Sequence, residues 1–161
     1  MKEYSYSFSY QVFEDIAQLA KDDADLLQQA RELTAIAYAP YSHFQVASAA
    51  KLANGHIVKG TNQENASFPV GICAERSLLA AVGTQFANEI IKTIAITYNP
   101  RQGQSNKPIS PCGMCRQALL EYELRVKHPI RMLLSGMQGQ VYVINTAKDL
   151  LPFAFSEGDL G

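Results

Sequence analysis

The chain is 161 residues long, 47% hydrophobic and 18% charged, proportions that suit one compact domain built around one core. Its formal charge of -1 supplies no broad basic field for a phosphate backbone, which argues against a nucleic acid partner and for a small neutral ligand. The N-terminus lacks the apolar stretch and cleavage site of a secretory signal, and no apolar run is long enough to cross a bilayer, so a cytoplasmic protein with no membrane partner is expected.

Along the chain, Tyr4, Tyr6, Phe8 and Tyr10 alternate with Ser5, Ser7 and Ser9. That period of two predicts a half-buried strand or an extended arm, and it sets residues 1–21 apart from a main domain over 22–161. Leu26, Leu27, Ala30, Leu33, Thr34 and Ala37 recur at helical spacing behind Asp22 or Asp23, either of which can cap, and Pro40 closes the run. Residues 46–53 and 57–60 flank Asn54-Gly55, a pair that tolerates positive φ and predicts an antiparallel hairpin. The Ala, Leu and Glu content of residues 74–82 predicts a second helix ending at Gly83, and residues 93–98 read as a buried strand. A third helix is expected over 113–123 and a further strand over 130–134. The connection 135–139 is too short for a crossover, so a strand over 141–144 folds back antiparallel on its predecessor. The fold class is α/β, with a mixed sheet of about five strands and helices on both faces.

Two segments carry the chemistry: Gly71-Ile72-Cys73-Ala74-Glu75-Arg76 and Ser110-Pro111-Cys112-Gly113-Met114-Cys115-Arg116, each opening a predicted helix. A reducing compartment disfavours a disulfide framework for the three cysteines, leaving a metal site, a redox pair at Cys112 and Cys115, or plain burial. Neither burial nor a redox pair accounts for a Glu two residues after Cys73 and a Pro before Cys112, which favours the metal. Cys112 and Cys115 share one helical turn and can face one ion, with Cys73 approaching from the other helix start. Zinc takes thiolates, and its catalytic sites keep one position for water. Three thiolates weaken the ion's power to acidify water, and the expected compensation is two helix N-termini plus hydrogen bonds from Arg76 to the sulfurs. Glu75 reads either as an ordinary first-turn acid or, in a closed site, as a carboxyl of raised pKa that moves protons.

A ligand-x-Glu followed by Pro-Cys-x-x-Cys is the general signature of zinc deaminases, one variant of which uses three cysteines. The chain resembles the small cytidine deaminases from about residue 37 to residue 160. The likeness runs through Tyr38-Ala39-Pro40-Tyr41-Ser42-His43-Phe44, Asn62-Gln63-Glu64-Asn65-Ala66-Ser67-Phe68-Pro69, Cys73-Ala74-Glu75-Arg76, Pro111-Cys112-Gly113-Met114-Cys115-Arg116-Gln117 and Leu150-Leu151-Pro152. It implies a three-layer α/β/α fold, a mixed five-stranded sheet with its last two strands antiparallel, and a homotetramer with one zinc per subunit on Cys73, Cys112 and Cys115. It also implies hydrolytic deamination of free cytidine and deoxycytidine in pyrimidine salvage, with residues 22–161 as the catalytic domain. Glu75 would then pass protons from water to the ring nitrogen, while Asn62 and Glu64 bind the ribose 3′-hydroxyl. Phe44 would stack on the base, the Ala74 N–H and Ser110 carbonyl would hold its edge, and Phe155 would enter a neighbouring subunit's site. From the residues alone, Phe44 reads as core; Asn62 and Glu64, two apart in an extended segment, project to one side, with a polar turn as the alternative for Asn62; and Phe155 is open between C-terminal packing and a neighbour's site.

The chain departs from the family pattern at Gln45-Val46-Ala47-Ser48, where the run 46–50 looks more like blasticidin S deaminases and the Ala47 methyl is expected to trim the pocket. Gln63 and Phe68 also differ from the usual residues. The alternatives are a deaminase of a modified cytosine nucleoside such as blasticidin S and a non-catalytic zinc module. The module needs a fourth ligand from His43, His56 or His128. The Asn-x-Glu-Asn segment, absent from the blasticidin type, favours ribose recognition.

Overall fold

The computed structural model describes all 161 residues. One mixed sheet holds β1 (Gln11–Phe13), β2 (Phe44–Leu52), β3 (Ile57–Thr61), β4 (Ile91–Pro100), β5 (Arg131–Ser135) and β6 (Val141–Ile144) in the order β1-β6-β5-β4-β2-β3. β4 and β5 run parallel, and every other neighbouring pair is antiparallel, including β5 and β6 as their short connection requires. The helices are α1 (Lys21–Leu33), α2 (Ala74–Gln85) and α3 (Gly113–Val126).

Strand alternation sorts the apolar residues into two cores, one on each face of the sheet. On one face Leu26, Leu27 and Ala30 of α1 pack against Ala49, Ala95, Leu133, Val141 and Val143. On the other, Leu78 and Val82 of α2 and Leu119 and Tyr122 of α3 pack against Ala50, Val58, Ile94, Ile96, Met132 and Leu134. This is a three-layer α/β/α arrangement, and the two helices that begin with cysteines lie together on one side. Gly55, at φ +89, turns the hairpin between β2 and β3.

The sheet has six strands where five were expected, because β1 joins its edge beside β6. The alternating residues 4–10 form no strand, and Tyr4, Tyr6, Phe8 and Tyr10 stay exposed. Alternation yields a strand only where a partner edge is within reach, and here pairing starts at Gln11, opposite Val143. Tyr10 meets that edge through the Tyr142 ring, at 5.1 Å between centroids.

Neither Asp22 nor Asp23 caps α1; the capping position is Ala20 and both acids lie in the first turn. There they pair with the sheet instead, Asp22 with Lys51 of β2 at the surface at 2.5 Å and Asp23 with the half-buried Arg131 of β5 at 2.7 Å. α2 runs past Gly83 to Gln85. α3 ends with Lys127 in the left-handed region, φ 52, a place more often taken by glycine. Just before that end, the buried Glu123 carboxylate accepts from Ile130 N at 2.6 Å, Ala147 N at 2.7 Å and Thr146 Oγ1 at 3.0 Å. One side chain thus ties α3 to the start of β5 and to the turn after β6.

Candidate active site

Cys73 and Cys112 occupy the N-cap positions of α2 and α3, both with extended backbone, and Cys115 sits buried one turn into α3. The three sulfurs lie within 4.8 Å of one another, and no histidine or carboxylate joins the group. Cys112 Sγ is 3.8 Å from Cys73 Sγ and 3.5 Å from Cys115 Sγ. Sulfurs placed about 2.3 Å from one ion at tetrahedral corners stand about 3.8 Å apart, and the two separations from Cys112 Sγ are close to that spacing. With three protein donors, one corner of the tetrahedron is left over.

The thiols stand close enough to perturb one another. The neighbouring Cys115 and Cys112 thiols, with the charge of Arg76, bring the Cys73 pKa down to about 6. The Cys115 thiol is correspondingly pushed up, first by its neighbour Cys73 and then by burial. Arg76 makes no hydrogen bond to a sulfur, so its influence on Cys73 is through charge rather than the donation expected from the sequence. Glu75, in the first turn of α2, is only 4% exposed, and burial raises its carboxyl pKa, with the charge of Cys73 adding to the rise.

These groups form one wall of a cavity of about 610 Å³, enough for a nucleoside-sized molecule. Asn62, Glu64, Ala74 and Ser110 line it beside Cys73, Glu75 and Cys112. The Asn62 amide bridges the backbone, accepting from Val46 N at 2.8 Å and donating to Phe44 O at 2.9 Å. Glu64 accepts from Tyr41 N at 2.8 Å and Ser42 N at 3.3 Å and takes a close bond from the Ser42 hydroxyl, which holds its pKa down.

Phe44 and Phe155 stand outside this cavity. Phe44 stacks on Tyr98, centroids 5.1 Å apart, and lines a neighbouring hollow that shares Ile109 with the main one. Phe155 is 60% exposed, fixed through its carbonyl, which accepts from Gln117 Nε2 at 2.8 Å. Ala47 does not trim the pocket: it is fully buried, and alternation along β2 aims Val46 at the cavity instead.

Ser42, Val46, Ile72 and Ile109 also line the cavity, though no sequence motif assigns them a role. Ser42 was visible as part of the 38–44 motif, but its bond to Glu64 spans 22 residues. Arg116 was likewise only a motif letter. It donates to Pro111 O at 2.9 Å, Ser110 Oγ at 3.2 Å and Leu150 O at 3.2 Å, and so fixes the segment that carries Ser110 and Cys112.

Three converging thiols beside one buried carboxyl of raised pKa, in a three-layer α/β/α protein, define the site of a zinc-dependent hydrolytic enzyme. Residues 20–128 match the cytidine and deoxycytidylate deaminase zinc-binding region. The chain belongs to that family. A cytidine deaminase of Halalkalibacterium halodurans is 33% identical over 135 residues, covering 84% of this chain and 95% of the relative. The crystal structure of cytidine deaminase from Burkholderia pseudomallei superposes with a TM-score of 0.71 at 35% identity, covering 85% of this chain and 100% of that one. A blasticidin-S deaminase of Bacillus cereus is 26% identical over 143 residues, or 86% of this chain and 95% of the relative.

Proposed function

We propose that the chain deaminates free cytidine and deoxycytidine to uridine and deoxyuridine with release of ammonia, a step of pyrimidine salvage in the cytoplasm, and that residues 22–161 form the catalytic domain. The observation that carries this reading is the convergence of three cysteine sulfurs within 4.8 Å beside a buried Glu75, on the wall of a nucleoside-sized cavity.

Cys73, Cys112 and Cys115 would hold the zinc ion, which when bound would act as a Lewis acid and make water a nucleophile at neutral pH. Glu75 takes one proton from the attacking water and delivers it to N3 of the ring as the oxygen bonds to C4. It then carries the second proton to the exocyclic amino group, which leaves as ammonia when the C4–N bond breaks. Burial suits Glu75 to both tasks, because a carboxyl lifted toward neutral pH gives and takes protons readily. Ala74 N–H and the Ser110 carbonyl hold the base edge.

Asn62 and Glu64 take the ribose 3′-hydroxyl. A carboxylate offers about four acceptor sites and a side-chain amide two N–H donors. After the contacts to the loop and β2 are counted, Glu64 keeps a lone pair and Asn62 a hydrogen for the sugar. Phe44 stacks on the base with its ring backed by Tyr98. The assembly is a homotetramer in which Phe155 completes a neighbour's site, a reading supported by the exposure of Phe68, Phe153 and Phe155 at 74%, 97% and 60%. Arg125 stacks on Tyr122 and Arg131 pairs with Asp23, so both are engaged within the fold and do not join a basic stripe for a polynucleotide.

The test is ammonia release by the zinc-loaded protein from cytidine, deoxycytidine and blasticidin S, alongside metal analysis. Release from the two nucleosides at one zinc per chain is expected. Release from blasticidin S alone moves the substrate to the modified nucleoside, and a zinc-loaded protein inert toward all three refutes the enzyme reading.

A further inference from the structure

Ser48 stands on β2 with its side chain on the face covered by α2 and α3, flanked along the strand by Val46 and Ala50 of that core. It is fully buried, and across the hairpin it pairs with Gly60. A hydroxyl among apolar neighbours is unfavourable unless it finds a partner, and alanine fills almost the same volume without that need. The partner here is specific. Ser48 Oγ lies 2.9 Å from the carbonyl oxygen of Ala74, and 3.4 Å from that of Gly60.

The Ala74 carbonyl belongs to the peptide plane that ends in the nitrogen of Glu75, and it is one residue past Cys73. Gly60 completes the seat by lacking a side chain: a Cβ there would meet Ala74 O and Leu78 N at 2.5 Å. The first turn of α2 therefore rests directly on two strands, pressed down at Gly60 and hydrogen-bonded at Ser48.

We infer that Ser48 is a positioning residue for the reaction. By donating to Ala74 O it fixes the rotation of the Ala74–Glu75 peptide plane, and with it the direction in which the Glu75 side chain leaves the helix. Ser48 does not line the cavity, so it acts through the carboxyl that does. This rests on the deaminase reading and adds to it a residue behind the proton carrier.

The experiment compares Ser48→Ala with Val58→Ala, a buried residue of the same core that does not line the cavity. Ammonia release from cytidine by the unaltered chain comes first; if there is none, the deaminase reading falls and this inference with it. With turnover established, Ser48→Ala is expected to lower kcat about tenfold, the change made by about 1.4 kcal/mol. KM should stay within about twofold and Tm within about 2 °C, with zinc content unchanged. Val58→Ala is expected to lower Tm by about 5 °C and leave kcat alone. The inference is overturned if Ser48→Ala keeps its kcat, if its loss merely tracks lost zinc, or if Val58→Ala loses as much kcat.

Discussion

Gly60→Ala places one methyl group where the backbone of α2 already lies. The added carbon meets Ala74 O and Leu78 N at 2.5 Å and Leu78 Cβ at 2.8 Å, whereas ordinary contact begins near 3.4 Å. The first two are backbone atoms, so no side chain can swing aside, and the start of α2 must rise by about 0.9 Å. Overpacking of this kind destabilises by about 1–3 kcal/mol, or several degrees of Tm in a chain of this length. The larger effect falls on chemistry, because the same turn carries Cys73, Ala74 and Glu75. A displacement near 1 Å at reacting groups lowers a rate by roughly a hundredfold. Thermal unfolding, zinc content and steady-state deamination measured on one preparation separate the two effects. A folded, zinc-loaded Gly60→Ala protein with kcat near that of the parent would refute the claim that this contact sets the site.

Three further outcomes follow from the same geometry. Glu75→Gln should keep fold, zinc and nucleoside binding and lose at least about a thousandfold in kcat, checked by burst-free ammonia assays and by titration with the product; substantial turnover would remove Glu75 from proton transfer. Zinc uptake by the apoprotein should release about one proton more per chain below pH 6 than above it, because Cys73 is already a thiolate above its pKa of about 6 and must first be deprotonated below it. Calorimetry in buffers of different ionisation enthalpy reads that count, and a flat value across pH 6 contradicts the thiol coupling. Glu123→Ala strands the Ile130 and Ala147 amides and should destabilise by about 3 kcal/mol, a fall in Tm of about 6–12 °C, with no change in KM.

The metal centre was legible because its chemistry dictates residue types at short spacings. Cys112 and Cys115 share a turn of one helix, and Glu75 follows Cys73 by two residues, so local geometry nearly determines where each side chain points. The antiparallel return of β6 was legible for a similar reason, a connection too short for anything else. What stayed hidden depends on partners far along the chain. Asp22 and Asp23 look like caps until Lys51 and Arg131 are placed opposite them. The aromatic alternation of residues 4–10 is as regular as any strand in the protein, yet pairing begins only at Gln11, where the edge of β6 is free. Ala47 drew attention because it differs from the family, but the phase of β2 relative to α2 decides which of two adjacent residues meets the ligand. The Ser42 bond to Glu64 and the three-way grip of Arg116 have no local signature at all.

Ala49 and Ala50 are adjacent in the chain and belong to different cores, one beneath α1 and the other beneath α2 and α3. The sheet is thus a partition one backbone thick. Side chains on the α1 side can be exchanged over generations, so long as they still fill their space, without disturbing the machinery on the far side. Of the two cores, the one under α1 should therefore diverge faster among homologues, and an engineer seeking a sturdier enzyme has more freedom there than under α2 and α3.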